Sequence, residues 1–259
     1  MTITPNDFIA VFDSGVGGLS VLTHLRQQLP KERFLYYGDC ANAPYGSRST
    51  AEVRALTLAA AEQLVQNNPV KALVVACNTA TSAAIRDLRT TYPELIVIGI
   101  EPALKLAADT FPGGRIAVMA TEVTLREEKF DTLMHRFNTG CAIAKIPAPG
   151  LVELIEQGKA DSPEAEALLK VILAPHIGRL DALVLGCTHY PFAANAISRI
   201  LGPDVALLDG GEGTARETRR RLEQAGLLRD GTAEGHVIFQ NSAEDNRLSK
   251  FYWEVICHA

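Results

Sequence analysis

Long apolar runs, paired cysteines, extended basic tracts and linker-like tracts are all missing from this chain, and each absence removes a class of protein. The longest purely apolar stretches, such as Leu73 to Cys77, are strand-length and far short of a membrane span. Met1 to Asp7 has neither a basic leading region nor a long apolar core, so no secretory signal is expected. Five cysteines (Cys40, Cys77, Cys141, Cys187 and Cys257) are an odd count without a CxxC pair. That argues against a disulfide framework and against a structural zinc site, and no metal is expected. The expectation is a cytoplasmic protein with reduced thiols. No basic stretch accumulates, and 25 Lys plus Arg against 30 Asp plus Glu leave a net charge of -5. Nucleic acid and membrane are therefore not expected partners.

What is present is an ordinary globular composition, 47% hydrophobic and 21% charged. Such a chain has the apolar residues needed to offset its conformational entropy. At 259 residues, with about 150 residues to a typical domain, it fits one or two domains with sizeable cores.

The sequence repeats itself once. Lys71-Ala72-Leu73-Val74-Val75-Ala76-Cys77-Asn78-Thr79 resembles Asp181-Ala182-Leu183-Val184-Leu185-Gly186-Cys187-Thr188-His189 at a shift of 110. Ile9 to Ser14 resembles Ile116 to Thr121 at a shift of 107, and Val97 to Glu101 more weakly resembles Ala206 to Asp209. Three matches in one order at nearly one shift indicate a duplicated α/β architecture. Short aliphatic runs recur at Phe8–Phe12, Phe34–Tyr37, Ala72–Ala76, Ile96–Ile100, Ile116–Met119, Ala142–Ile146, Leu183–Leu185 and Val205–Leu208. Their continuous apolarity suits strands of a parallel sheet covered on both faces. Helical patterns lie between them at Ala51–Gln66, Ser82–Arg89, Thr124–Phe137 and Ser162–Leu180, as βαβ units require.

In parallel sheets, ligands bind beyond the carboxyl ends of the strands. Those positions hold Asp13-Ser14, Asp39 to Gly46, Cys77-Asn78-Thr79, Glu101, Thr121 and Cys187-Thr188-His189. The set is rich in hydroxyls, amides, carboxylates and thiols, with no Lys or Arg nearer than Arg48. Asp13-Ser14-Gly15-Val16-Gly17-Gly18 gives a tight strand-to-helix turn, but its spacing is neither the dinucleotide fingerprint nor a P-loop. It reads equally as a carboxylate-binding turn or as a structural turn in which Asp13 or Ser14 caps the helix. Ala43-Pro44-Tyr45-Gly46-Ser47 reads as a turn.

Cys40, Cys141 and Cys257 read as small buried hydrophobes. Cys77 and Cys187 differ, because each ends an aliphatic strand at the same place in its half and is followed at once by polar residues. Two symmetric thiols suit a symmetric reaction: one removes a proton from a stereocentre and the other returns one to the opposite face. A thiol with a pKa of about 8.5 is mostly protonated at neutral pH, so each sulfur needs a partner that manages its proton. Asp13 is the candidate in the first half. His189 is the candidate in the second, since a residue two positions on points to the same side if the chain stays extended.

Together, Phe12-Asp13-Ser14-Gly15-Val16-Gly17-Gly18-Leu19, Pro44-Tyr45-Gly46, Cys77-Asn78-Thr79-Ala80 and Gly186-Cys187-Thr188-His189-Tyr190-Pro191 resemble the bacterial glutamate racemases, in order and over nearly the whole chain. The resemblance implies a cofactor-independent isomerase that interconverts L- and D-glutamate and supplies D-glutamate for peptidoglycan. It implies two α/β domains with the active site in the cleft between them. The first domain would be discontinuous, 1–96 plus 208–259, and the second would span 97–207. Carried over, Cys77 and Cys187 are the acid/base pair, Asp13 and His189 assist them, and Glu156 is a carboxylate near the cleft. Substrate contacts fall to Asp13, Ser14, Pro44, Tyr45, Gly46, Asn78, Thr79, Thr121, Thr188 and His189. Glu153 and Gly150 stand where the family carries a proline and a bulky apolar residue, so the start of the helix bearing Glu156 departs from the pattern. Homodimers are common in the family. Members activated by a cell-wall precursor carry a longer N-terminal extension, so that activation is not expected here.

Two other readings keep the residues and change the chemistry. A single-cysteine amidohydrolase would use Cys187 with His189 and dispense with Cys77. An amino-acid binding module would clamp glutamate between two α/β halves and leave its Cα–H intact. Aspartate racemase shares the thiol pair and differs in pocket depth.

Overall fold

The computed structural model describes residues 3–126, 132, 134 and 140–257. The chain divides into two compact units, Met1–Ile100 with Gly211–Ala259, and Glu101–Gly210. The first is built on five parallel strands: β1 (Phe8–Asp13), β2 (Phe34–Gly38), β3 (Val70–Val75), β4 (Ile96–Gly99) and β9 (Val237–Asn241), in the order β4-β3-β1-β2-β9. The second has four: β5 (Arg115–Ala120), β6 (Ala142–Pro147), β7 (Ala182–Leu185) and β8 (Ala206–Asp209), in the order β6-β5-β7-β8. Replacing β1, β2, β3 and β4 by β5, β6, β7 and β8 turns the first order into the second. The internal sequence repeat is thus a repeat of topology, and β9 is an extra edge strand of the first unit.

Every residue of β1, β2 and β3 is buried, which is why these runs read as uninterrupted apolar stretches. In the first unit Phe12, Leu73, Val75 and Leu64 share one apolar cluster, and in the second Ile116, Val118, Ala182 and Val184 share another. Helices α1 (Leu19–Gln28), α2 (Thr50–Asn67) and α3 (Asn78–Thr91) belong to the first unit. The second carries α4 (Leu104–Thr110), α5 (Glu122–Arg126), α6 (Leu151–Glu156), α7 (Pro163–Leu173) and α8 (Ala194–Leu201). The chain then returns to the first unit through α9 (Gly211–Gln224), which packs on α1, and through β9 and α10 (Arg247–Phe251). A buried Lys71–Glu32 pair at 2.5 Å fastens this return. Lys71 Nζ also donates to the carbonyls of Pro5 and Leu227, while the second oxygen of Glu32 accepts from the Arg229 N–H.

Several expectations need correction. The helical pattern Ser162–Leu180 overran: Ser162 caps the helix, its hydroxyl accepting from the Ala165 N–H, and the α-helix ends at Leu173. Pro175, which lacks an N–H, sits in a short 3-10 turn there, and Gly178 is left-handed with φ of 69°. Of the two readings of the Asp13–Gly18 turn, the one in which Asp13 or Ser14 caps α1 does not hold, because Gly18 occupies the N-cap with no side-chain bond. Cys40 and Cys141 are buried, but Cys257 is exposed. Arg219-Arg220-Arg221 is a short basic run, and α9 supplies counter-charge: Glu217 pairs with Arg220 and Glu212 with Arg216. Much of the helix expected over Thr124–Phe137 lies outside the described residues. No described helix is long and apolar enough to cross a membrane.

Candidate active site

In the first unit, the carboxyl ends of β1 and β3 bring Asp13, Ser14 and Cys77 together. Cys77 lies two residues beyond β3 and forms the N-cap of α3, where its Sγ accepts from the Ala80 N–H at 3.4 Å. Negative charge is welcome at that end of a helix. The Cys77 thiol is also placed to donate to Ser14 Oγ at 3.7 Å. Asp13 is fully buried, and its Oδ1 accepts from the Gly15 N–H at 2.9 Å. That turn leaves no room beside it: a Cβ on Gly18 would stand 2.6 Å from Asp13 Cβ and 2.9 Å from the Tyr36 hydroxyl. Gly18→Ala must therefore displace Asp13 or Tyr36. It is expected to cost about 1–3 kcal/mol, read as a lower urea midpoint, with turnover reduced in the folded fraction. An unchanged midpoint with full activity would contradict this packing.

Asn78 and Thr79 open α3 and are buried, and Asn78 Oδ1 has no hydrogen-bond partner among the described residues. Pro44 follows a cis peptide, and Tyr45–Ser47 forms one 3-10 turn. The Tyr45 hydroxyl donates to Asp39 Oδ2 at 2.6 Å. Arg48, the nearest cation expected from sequence, donates its Nε–H to the Asn42 carbonyl instead.

In the second unit, Cys187 lies two residues beyond β7, matching Cys77 beyond β3. The chain there is not extended: the Tyr190 N–H donates to the Cys187 carbonyl, and His189 is helical in φ and ψ. This turn, rather than strand alternation, carries the imidazole back to the sulfur, with His189 Nδ1 at 3.7 Å from Cys187 Sγ. His189 Nε2 lies 2.6 Å from Glu156 Oε1. Glu156 ends α6, whose N-cap is Gly150 at φ 83°, a left-handed conformation that side chains disfavour. One of the two residues that break the expected pattern, Gly150, is thus the one that starts this helix.

Burial is the largest influence on His189 and would lower its pKa, but the Cys187 sulfur and the Glu156 carboxylate together outweigh it. The ring is held well above the ordinary histidine value. As an imidazolium it has two donors for the two acceptors beside it. Thr121 and Thr188 are buried, and Thr121 Oγ1 lies 3.0 Å from Thr124 Oγ1. Among the described residues, no group of three or more His, Cys, Asp or Glu is arranged to hold a metal ion.

A family model described as Asp/Glu/Hydantoin racemase matches residues 14–218, which takes in both cysteine turns. The chain belongs to the Asp/Glu/hydantoin racemase family. Among its relatives, a glutamate racemase of Clostridium acetobutylicum is 47% identical over 244 residues, covering 94% of each chain. The crystal structure of a Thermus thermophilus glutamate racemase in complex with β-chloro-D-alanine matches at 38% identity and a TM-score of 0.81, over 96% of this chain and 94% of that one. An Escherichia coli glutamate racemase, in complex with L-glutamate and the activator UDP-MurNAc-Ala, matches at 31% identity and a TM-score of 0.83. That match covers 94% of this chain and 93% of the other. For this racemase-family chain, sequence reasoning missed the Ser14 hydroxyl as a neighbour of the Cys77 thiol and did not single out Asp39. The Asp-Ser order after β1 was the available signal for the first.

Proposed function

We propose that the chain is a glutamate racemase in which Cys77 and Cys187 share the proton transfer at Cα. The carrying observation is the matched placement of the two sulfurs, each two residues beyond the equivalent strand of its own sheet. In this reading one sulfur, as thiolate, takes the Cα proton and becomes a thiol. The electron pair is left on Cα and delocalises into the α-carboxylate. The other sulfur, as thiol, gives its proton to the opposite face and becomes the thiolate, so the pair ends with its roles exchanged. No oxidation state changes and no group leaves, so these residues need no cofactor for the step. Asp13 and Ser14 serve Cys77, and His189 with Glu156 serves Cys187. Neutral donors and backbone N–H groups bind the carboxylates, while the Arg48 Nε–H is turned to the Asn42 carbonyl of its own loop. The unpartnered Asn78 Oδ1 suits the substrate ammonium, which would satisfy a buried acceptor.

Relatives named glutamate racemase at 44–47% identity support glutamate over aspartate. Supply of D-glutamate for peptidoglycan, a cytoplasmic location and a homodimer belong to the same reading. The test incubates reduced protein with D-glutamate in heavy water, without pyridoxal phosphate or added metal. Loss of optical rotation with deuterium at Cα is the expected result. Folded, reduced protein that changes neither would remove glutamate as the substrate.

A second reading has one observation in its favour. Cys187, His189 and Glu156 form a nucleophile–base–carboxylate line, with spacings of 3.7 and 2.6 Å. That is also the layout of a single-cysteine amidohydrolase. It leaves the matched Cys77 without a task, and trapping an acyl group on Cys187 would revive it.

A further inference from the structure

Asp39 is a buried carboxylate to which the mechanism above gives no role. It follows β2 directly, and its surroundings are specific. Oδ2 accepts from the Tyr45 hydroxyl at 2.6 Å, and the Asn42 amide donates to both oxygens, at 3.0 and 3.1 Å. Its backbone N–H donates to the Asp13 carbonyl at 2.9 Å, and its carbonyl accepts from the Asn42 N–H at 3.0 Å. Tyr45 is 1% exposed, with its ring tilted against Phe12 at 6.3 Å between centroids. Burial first, and the hydrogen bond to Asp39 second, push the phenol pKa well up, so the group stays protonated and remains a donor.

A hydroxyl that is buried and committed to Asp39 is not offered to substrate. Pro44, Tyr45 and Gly46 can then meet a ligand only through backbone and ring edges, and their placement depends on what pins the ring. We propose that Asp39 is a positioning residue for substrate binding: by holding the Tyr45 phenol and the Asn42 amide, it fixes the 39–48 loop relative to the Asp13–Ser14 turn. The loop is tied to that turn at its first residue, where the Asp39 N–H donates to the carbonyl of Asp13 itself. This inference rests on the racemase reading and adds to it the residue that sets the carboxylate-binding wall.

The role separates from chemistry by kinetics. A loop that binds a carboxylate equally in the ground and transition states changes KM and leaves kcat alone. Removing a charged hydrogen-bond acceptor from the network is expected to cost roughly ten-fold or more in that binding. Asp39→Asn should therefore raise KM about ten-fold for both enantiomers, with kcat within about three-fold of wild type at saturation. Tyr45→Phe keeps the ring and removes the donor, and should shift KM in the same direction. It also serves as the second variant if Asp39→Asn folds poorly, with circular dichroism and urea midpoints measured on both. A purely structural role would lower kcat through loss of folded protein and leave KM in place, and that result would overturn the proposal. So would two variants indistinguishable from wild type. Wild-type protein that fails to racemise glutamate would remove the underlying reading as well, whereas active wild type with unaltered variants sinks this inference alone.

Discussion

Cys77→Ala and Cys187→Ala should each lower racemisation by about a thousand-fold or more, since each removes one of two general acid/base groups worth roughly 10²–10⁴ apiece. Neither sulfur can stand in for the other, because a proton taken from one face and returned to the same face inverts nothing. The informative readout is isotope exchange. On the two-thiol proposal each variant keeps one thiol for one face of Cα, so each should still wash deuterium into a single enantiomer without inverting it, and the two variants should prefer opposite enantiomers. An amidohydrolase predicts the reverse for Cys77→Ala, which would remain fully active. Loss of the Cys77 sulfur also removes the acceptor for the Ala80 N–H at the start of α3. That costs about 1 kcal/mol, in the range of other N-cap losses, and leaves the fold in place. A variant of either cysteine that racemises like the wild type would end the two-thiol account.

His189→Gln and Glu156→Gln carry the second large effect. On the proposed mechanism, His189→Gln removes the group that manages the proton at Cys187 and should cost about 10²–10³ in turnover. Glu156→Gln keeps the hydrogen bond and removes the charge, so its effect belongs in the pH profile. The folded His189 pKa is raised, with Glu156 among the causes. The imidazolium therefore contributes stability that is fully present below its unfolded value, about 6.5, and lost as pH rises through the raised folded value. If the working form is the imidazolium, the basic limb of the rate profile tracks that folded value. Glu156→Gln should then move the basic limb to lower pH and weaken the pH dependence of unfolding in the same range. Identical limbs in wild type and variant would mean that Glu156 does not act through His189.

The central strands were legible because a buried parallel strand is written as an unbroken aliphatic run, and the two cysteines because each closes such a run. β9 was not legible, since Val237–Asn241 is a partly exposed edge strand without that continuity. The end of α7 was missed because apolar residues continue past it, and only Pro175 and Gly178 mark the change. At the site, strand ends named the right stretch of chain but not its internal contacts. The Glu156–His189 contact spans 33 residues, and the His189 return to Cys187 depends on a turn that strand alternation does not foresee. Asp39 was visible only as one more polar residue after a strand. Its work appears once the Tyr45 ring is seen to be buried.

The discontinuous first unit also has a consequence for how the protein is made. Everything that Glu101–Gly210 needs is continuous in the chain. The first sheet, though begun earlier, waits for α9, β9 and the Leu227–Arg229 contacts with Lys71 and Glu32. At about 5–20 residues per second, those last pieces leave the ribosome several seconds after the second unit is complete. On the nascent chain, the half that starts first is thus the half that finishes last. Until then the outer edge of β2 stands open to any other strand that reaches it.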